Sequence, residues 1–381
     1  MKMSEAKYKK VAQAILKVGG MPIPVNDTFL EIIKMLLGSD EEEIDMILAF
    51  SRKASQSLDQ LKERTGLSEE KILDLTDKLA KKGFLFNQPS STGIKVFRLL
   101  PIVNVGLFEY TFMKELEVTE RNRKLAELFT TLFKGLDDII QDGYDNIMPM
   151  LLKAPAVDRT IPLYENEPTG KEILITINQD IEVPTEKIIP SQKIEEVVNK
   201  FDDIAVGHCF CRHHKDLEGE PCKQTDMREN CFTLGKSARH TVQQGFARMV
   251  TKDEAIKILK ASAKDGLVMK VYHPNFDSSK PETSICNCCR CCCGNSLQNA
   301  MAPMINETHH LSVFNHDLCV GCETCVDKCV NGAIYINDDG KADRDAEKCI
   351  GCGVCAHFCP ENAISLVKGK RIVKVPPLRK K

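Results

Sequence analysis

The spacing C-x2-C-x2-C-x3-C occurs twice in this chain, first as Cys319, Cys322, Cys325 and Cys329, then as Cys349, Cys352, Cys355 and Cys359 with Pro360 after it. The copies align beyond the cysteines without a gap, DLCVGCETCVDKCVNGAI over EKCIGCGVCAHFCPENAI. Such a tandem constrains the fold before it says anything about chemistry. Three thiols at two-residue intervals force a tight loop around something small, and Gly321, Gly351 and Gly353 ease that close approach. Zinc sites draw their thiolates from two separated pairs. A triple at this spacing suits the corners of a cubane iron–sulfur core instead.

Residues 312–372 resemble the bacterial two-cluster ferredoxins, in which the fourth cysteine of each run serves the other cluster. The resemblance implies one [4Fe-4S] cluster on Cys319, Cys322, Cys325 and Cys359, and a second on Cys349, Cys352, Cys355 and Cys329. The x3 step opens a short helix that would carry each fourth cysteine across a pseudo-twofold axis. The stretches Ala333-Ile334-Tyr335-Ile336 and Ala363-Ile364-Ser365-Leu366 read as the strands that follow. Their apolar side chains, with Ile350 and Val320, are expected to wall the clusters off from water. Val330 stands where the family usually has proline, which bears on local stiffness and not on ligation. Cluster potentials span roughly −700 to +450 mV, and the resemblance implies the low end.

At 381 residues, with 43% hydrophobic residues, the chain has material for two or three domains. A formal net charge of −2 gives no overall basic footprint for nucleic acid. No apolar run approaches the roughly 20 residues of a membrane span. The N-terminal MKMSEAKYKKVAQAILKVGG lacks a signal peptide's continuous apolar stretch, so a cytoplasmic location is expected. Eighteen cysteines in such a chain point to metal or redox chemistry and not to a disulfide scaffold. Because exposed clusters are sensitive to oxygen, an anaerobic source is expected.

The cysteines outside the tandem fall in two groups: Cys209, Cys211, Cys222 and Cys231; and Cys286, Cys288, Cys289, Cys291, Cys292 and Cys293. These ten thiols are too many for one mononuclear site and enough for one or two further iron–sulfur clusters. The first group reads as an iron–sulfur site, with a four-cysteine zinc site or buried structural thiols as alternatives. Arg212, His213, His214 and Arg239 beside it could offset cluster charge or donate to its sulfurs; a solvated loop is the other reading of the histidine pair. Adjacent cysteines point in different directions, so those of the Cys286–Cys293 run seldom all serve one cubane; some are read as sharing a cluster with the first group, others as free thiols or ligands to an unusual cluster. Between the groups, Thr251 and Glu254 form the pattern of a capping box. Ala255, Ile258, Leu259 and Ala263 make an apolar helical stripe, and Gly266 stops it. That helix would fold the two groups into one metal-binding domain.

With CFCR at 209–212, ENCFTLG at 229–235, ICNCCRCCCG at 285–294 and the tandem repeats, the chain resembles a family of 4Fe-4S dicluster proteins from anaerobic bacteria and archaea. Its members join a winged-helix-like region to these motifs and a two-cluster ferredoxin. The resemblance implies electron transfer and names no substrate.

Residues 41–100 read as a winged helix. A short helix over 57–64 leads into a turn at Thr65-Gly66-Leu67. Ser68 caps a second helix with Ile72, Leu75 and Leu79 inward, and a hairpin over 84–100 forms the wing. Lys71, Lys78, Lys81 and Lys82 on the second helix are offset by Glu69, Glu70, Asp74 and Asp77, which disfavours phosphate binding. The acidic run Asp40–Glu43 reads as a helix start on a solvated face. Helices are expected near 119–151 and 190–201, and strands within 171–185. The expected class is α+β and multidomain: a winged-helix-like domain over 1–105, a linking region over 106–199, a cysteine-rich iron–sulfur domain over 200–311 and a ferredoxin domain over 312–381.

No G-x-G-x-x-G, P-loop or nucleophile elbow occurs, so nucleotide and flavin sites find no support in the sequence. The readings that remain are three. The first is an electron-transfer subunit passing low-potential electrons to or from a partner oxidoreductase, with no catalytic residue of its own. The second is an oxidoreductase or reductive activase acting at the middle cysteines. The third is a redox-sensing winged-helix regulator that binds DNA.

Overall fold

The computed structural model describes residues 5–19, 24–90, 93–103, 105–151, 155–156, 158–163, 193–274, 279–294 and 304–375. The strands expected within 171–185 lie outside them. The chain divides into two units, Met1–Asp138 with Ala205–Pro221 and Gly235–Met249, and Ile139–Ile204 with Cys222–Leu234 and Val250–Lys381.

The first unit is held by aliphatic and aromatic packing. In the helix Leu58–Thr65, Ser57 Oγ accepts from the Gln60 amide, and Gln60 Oε1 accepts back from the Ser57 amide. Ser68 caps Glu69–Lys81. That helix turns Ile72, Leu75 and Leu79 inward, each stabilising the unit by about 1.5–3 kcal/mol through burial. A three-stranded sheet follows in the order Ser55–Ser57, Val96–Leu99, Leu85–Phe86. The acidic run starts the helix Glu41–Leu48, with Asp40 as its cap. It is not wholly solvated: Glu43 is buried and pairs with Lys82 at 2.5 Å. Phe108, Phe112, Phe129 and Phe133, from the helices Leu107–Met113 and Glu120–Asp142, form an aromatic cluster.

Against this cluster lies the helix Phe210–Leu217, which corrects the solvated-loop reading of His213 and His214. Both rings are buried. His213 Nδ1 lies 2.9 Å from the Phe112 carbonyl and His214 Nε2 2.9 Å from that of Ala126. The two histidines are fastenings between helices.

The second unit is built on one sheet, with neighbours in the order Ile364–Val375, Met304–Phe314, Asp158–Ile161, Val268–Tyr272, Ser284–Cys288, Glu229–Leu234. The long outer pair is antiparallel and runs from Met304↔Val375 to Phe314↔Ile364. The helix Lys252–Lys264 begins where expected, with Thr251 Oγ1 accepting from the Glu254 amide, and buries Ala255, Leu259 and Ser262. No helix among the described residues is long and apolar enough to cross a membrane.

Candidate metal centres

The tandem repeats fold as two interlocked halves. The Asn315 amide donates to the Ala363 carbonyl, and the Asp345 amide donates to that of Ala333, so equivalent positions of each repeat hold the other. Each run closes with a short helix, Thr324–Lys328 and Val354–His357. After it the chain turns so that an amide four residues on faces the last sulfur. The Ala333 amide donates to Cys329 Sγ at 3.1 Å and the Ala363 amide to Cys359 Sγ at 3.3 Å. The Ala342 amide donates to Cys319 Sγ at 3.4 Å. Donors of this kind stabilise thiolate charge.

One cavity is lined by Cys319, Cys322 and Cys325 of the first run and by Cys359 of the second, with Ala342 and Ile364 beside them. The electrostatics group the thiols in the same way. Burial pushes Cys325 up to about 11, helped by the charges of Cys319, Cys322 and Cys359. Burial likewise holds Cys355 well above the usual thiol range, with Cys352, Cys349 and Cys329 adding to it and Cys325 of the other set contributing least. The loops reach this geometry because two glycines permit it. Gly321 has φ +70° and Gly351 φ +60°, and an added Cβ would lie 2.4 Å from the Gly340 carbonyl oxygen and 2.0 Å from that of His310. The wall is uneven. Ile350 is buried, as expected, but Val320 is 63% exposed and Cys322 is exposed beside it.

The middle cysteines are distributed over both units. Cys209 and Cys211 belong to the first, at the start of the helix Phe210–Leu217. Within the second, the two sequence groups interleave. Cys231 lies across from Cys286, with the sulfurs 3.9 Å apart, because the pairing Phe232↔Ile285 places them on neighbouring strands at the next step of the ladder. Cys288 is two residues from Cys286 and therefore on the same face. Hydrogen bonds with Cys286 and Cys293, together with burial, push Cys288 well above the usual thiol range. Cys231, Cys286, Cys288 and Cys293 are all buried, and the contacts of Cys231 with Cys286 and of Cys288 with Cys286 and Cys293 link them into one run.

Cys222 joins a different set. Its sulfur and those of Cys289, Cys291 and Cys292 all lie within 4.8 Å of one another, the tightest such group among the described residues. The turn after Cys289, closed by a bond from the Cys293 amide to the Cys289 carbonyl, puts Cys289 and Cys292 on one side and sends Cys293 to the other. Hydrogen bonds from the Cys289 and Cys292 thiols, backed by the Gln224 and Thr225 amides, hold Cys222 far below the usual thiol range.

Sequence reasoning missed a buried ion pair beside these sulfurs. Lys270 and Asp158, both without exposed side-chain surface, meet at 3.3 Å. The Asn306 amide group also donates to Asp158. Lys270 lies across the ladder from Cys286. Burial pushes Cys352 up to about 12, and the Lys270 ammonium acts against that push. A lysine inside the apolar strand VMKVY was the available signal.

Thiols in converging sets, amides aimed at sulfur and loops that exclude a Cβ fit iron–sulfur clusters over the tandem segment. The family model of the 4Fe-4S dicluster domain matches residues 318–363. Comparison with curated proteins and with solved structures returned no match. The chain is therefore an iron–sulfur protein with a ferredoxin-type segment over those residues.

Proposed function

We propose that the protein passes low-potential electrons through several [4Fe-4S] clusters to or from a partner oxidoreductase. The observation that carries this reading is the cavity that brings Cys359 of the second run to Cys319, Cys322 and Cys325 of the first. It supports crossed ligation, with Cys349, Cys352, Cys355 and Cys329 holding the other cluster. Two cubanes in one small domain suit stepwise electron passage, and no acid–base machinery need accompany them.

The buried thiols Cys231, Cys286, Cys288 and Cys293 are the donors for a third cluster. Lys270 sits across the ladder from Cys286 and acts on Cys352, which supports a wire running from the ferredoxin segment into the sheet. When bound, the clusters supply one-electron chemistry. The chain's own part is to hold the thiolates, aim amides at them and keep water away.

The first unit serves in this reading as the surface that docks the partner. The capped helix pair and the strands over 85–99 support a winged-helix-like fold for it. The lysines of the second helix speak against nucleic acid as the ligand. Lys71, Lys78, Lys81 and Lys82 pair with Glu42, Asp74, Asp77 and Glu43 at 2.5–2.9 Å, so each arrives at a phosphate already neutralised.

The test is iron and sulfide content of anaerobically purified protein, with EPR of the reduced form during a potentiometric titration. About twelve irons per chain, in three reducible [4Fe-4S] centres, is the expected result. Fewer than eight irons, or centres that do not reduce, would remove the reading.

A further inference from the structure

Four sulfurs around one ion stand closer together than four sulfurs on the outer corners of a cubane. At a Zn–S distance of about 2.3 Å, the edge of a regular tetrahedron is about 3.8 Å. Cys222 and Cys291 sulfurs are 3.5 Å apart, those of Cys291 and Cys292 3.6 Å, and all four of the set lie within 4.8 Å. The eight ferredoxin thiols contain no three that meet that limit. Cys231 and Cys286 also come to 3.9 Å, but only as a pair: among the described residues the Cys222 set is the one in which three or more sulfurs all meet the limit.

We propose that Cys222, Cys289, Cys291 and Cys292 form a closed tetrahedral site for a single zinc ion, separate from the iron–sulfur centres. A set of four thiolates, with no fifth His, Cys, Asp or Glu donor grouped with it among the described residues, is the pattern of a structural site, and tetrahedral S4 coordination selects zinc among divalent ions that do not change oxidation state. The outer ring fits that role. The Gln224 and Thr225 amides face Cys222, and the Lys223 amide faces Cys291, which offsets the net negative charge of four thiolates on a divalent ion.

Gln224 also ties the two ligand loops to their surroundings. Its Nε2 donates to the Asp265 and Gly266 carbonyls, and its Oε1 accepts from the Arg290 amide, each at 3.0 Å. Arg290, between Cys289 and Cys291 in sequence, donates through Nη1 to the Asp327 carbonyl at 2.7 Å. Asp327 lies in the short helix that carries Cys325. Leu267 packs on Cys289 and Cys292 from below. The ion would therefore clamp the middle loops onto the ferredoxin segment.

The experiment is metal analysis of the full-length protein purified without oxygen, comparing wild type with Cys222→Ser and Cys291→Ser. These positions are half-buried, so serine is tolerated at them better than at Cys289 or Cys292. The expected result is one zinc in wild type and a fall of at least about tenfold in both variants, with iron, sulfide and the EPR of the reduced clusters unchanged. Cobalt(II) exchanged into wild type gives a readout that needs no substitution: absorption bands of tetrahedral cobalt thiolate, lost on adding excess zinc. Iron in place of zinc, iron falling in either variant, or zinc indifferent to both substitutions would each overturn the site.

Discussion

The ferredoxin segment and the middle cysteines use the same ligand atom in opposite ways. In the first, thiols come from a repeated, evenly spaced pattern and are held apart by glycine loops and crossing helices. In the second, they come from segments distant in sequence and are pressed together by a sheet ladder and one tight turn. The difference teaches that spacing in sequence reports a cluster only where a single loop supplies three ligands. Where the ligands come from several strands, register and turns decide the sets, and Cys222 parts from Cys231 although the two belong to one group in sequence.

The largest expected effect breaks the comparison at its strongest point. Cys359→Ser should remove the cluster of Cys319, Cys322 and Cys325 and spare that of Cys349, Cys352 and Cys355. EPR of the reduced variant checks this, and loss of the second signal in place of the first would end the crossed assignment. Next comes Lys270→Met, which leaves Asp158 buried without its cation and should cost about 3–5 kcal/mol by chemical denaturation. Lys270→Met with Asp158→Asn should recover much of that loss. If the single variant is as stable as wild type, the ion pair does not hold the sheet between the two regions.

Packing holds the first unit, and acid should show it. Burial lowers His240 from 6.5 to about 4, with Arg98 adding to the effect. The folded unit therefore disfavours the protonated ring. His240's contribution is complete above pH 6.5 and is lost as pH falls towards 4, up to about 3 kcal/mol. Denaturation midpoints across that window check it, and a His240→Gln variant should flatten the slope. Gly351→Ala should act locally. Positive φ and the His310 carbonyl oppose a Cβ there, at a cost of about 1–3 kcal/mol, read as faster loss of visible cluster absorbance on warming. The smallest effect is for Arg290→Ala, which removes one hydrogen bond to the Asp327 carbonyl and about 1 kcal/mol.

Much of the first unit was legible because its signals are local. Ser57, Gly66 and Ser68 each start or stop a helix where the chain says they should. The tandem run was legible because one loop carries its own grammar. The sheet of the second unit was not, because its neighbours are remote in sequence: Asp158 meets Lys270, and Cys231 meets Cys286, only through strand order. His213 and His214 misled for the same reason. A polar pair between cysteines reads as a loop until Phe112 and Ala126 supply carbonyls from other helices. Val320 misled differently. An apolar residue between two ligands suggests a wall, but the Val320 side chain faces solvent.

The exposed corner of the first loop sets an order of vulnerability. Cys322 is the exposed thiol of its set, next to an exposed Val320, whereas Ile350 shields the matching position of the second loop. In the electron-transfer reading proposed above, a partner's redox centre would come closest at this corner, and dioxygen would take the same route. In air, the centre over Cys322 should bleach first and the one behind Ile350 later, so the doorway for electrons is also where the protein begins to fail.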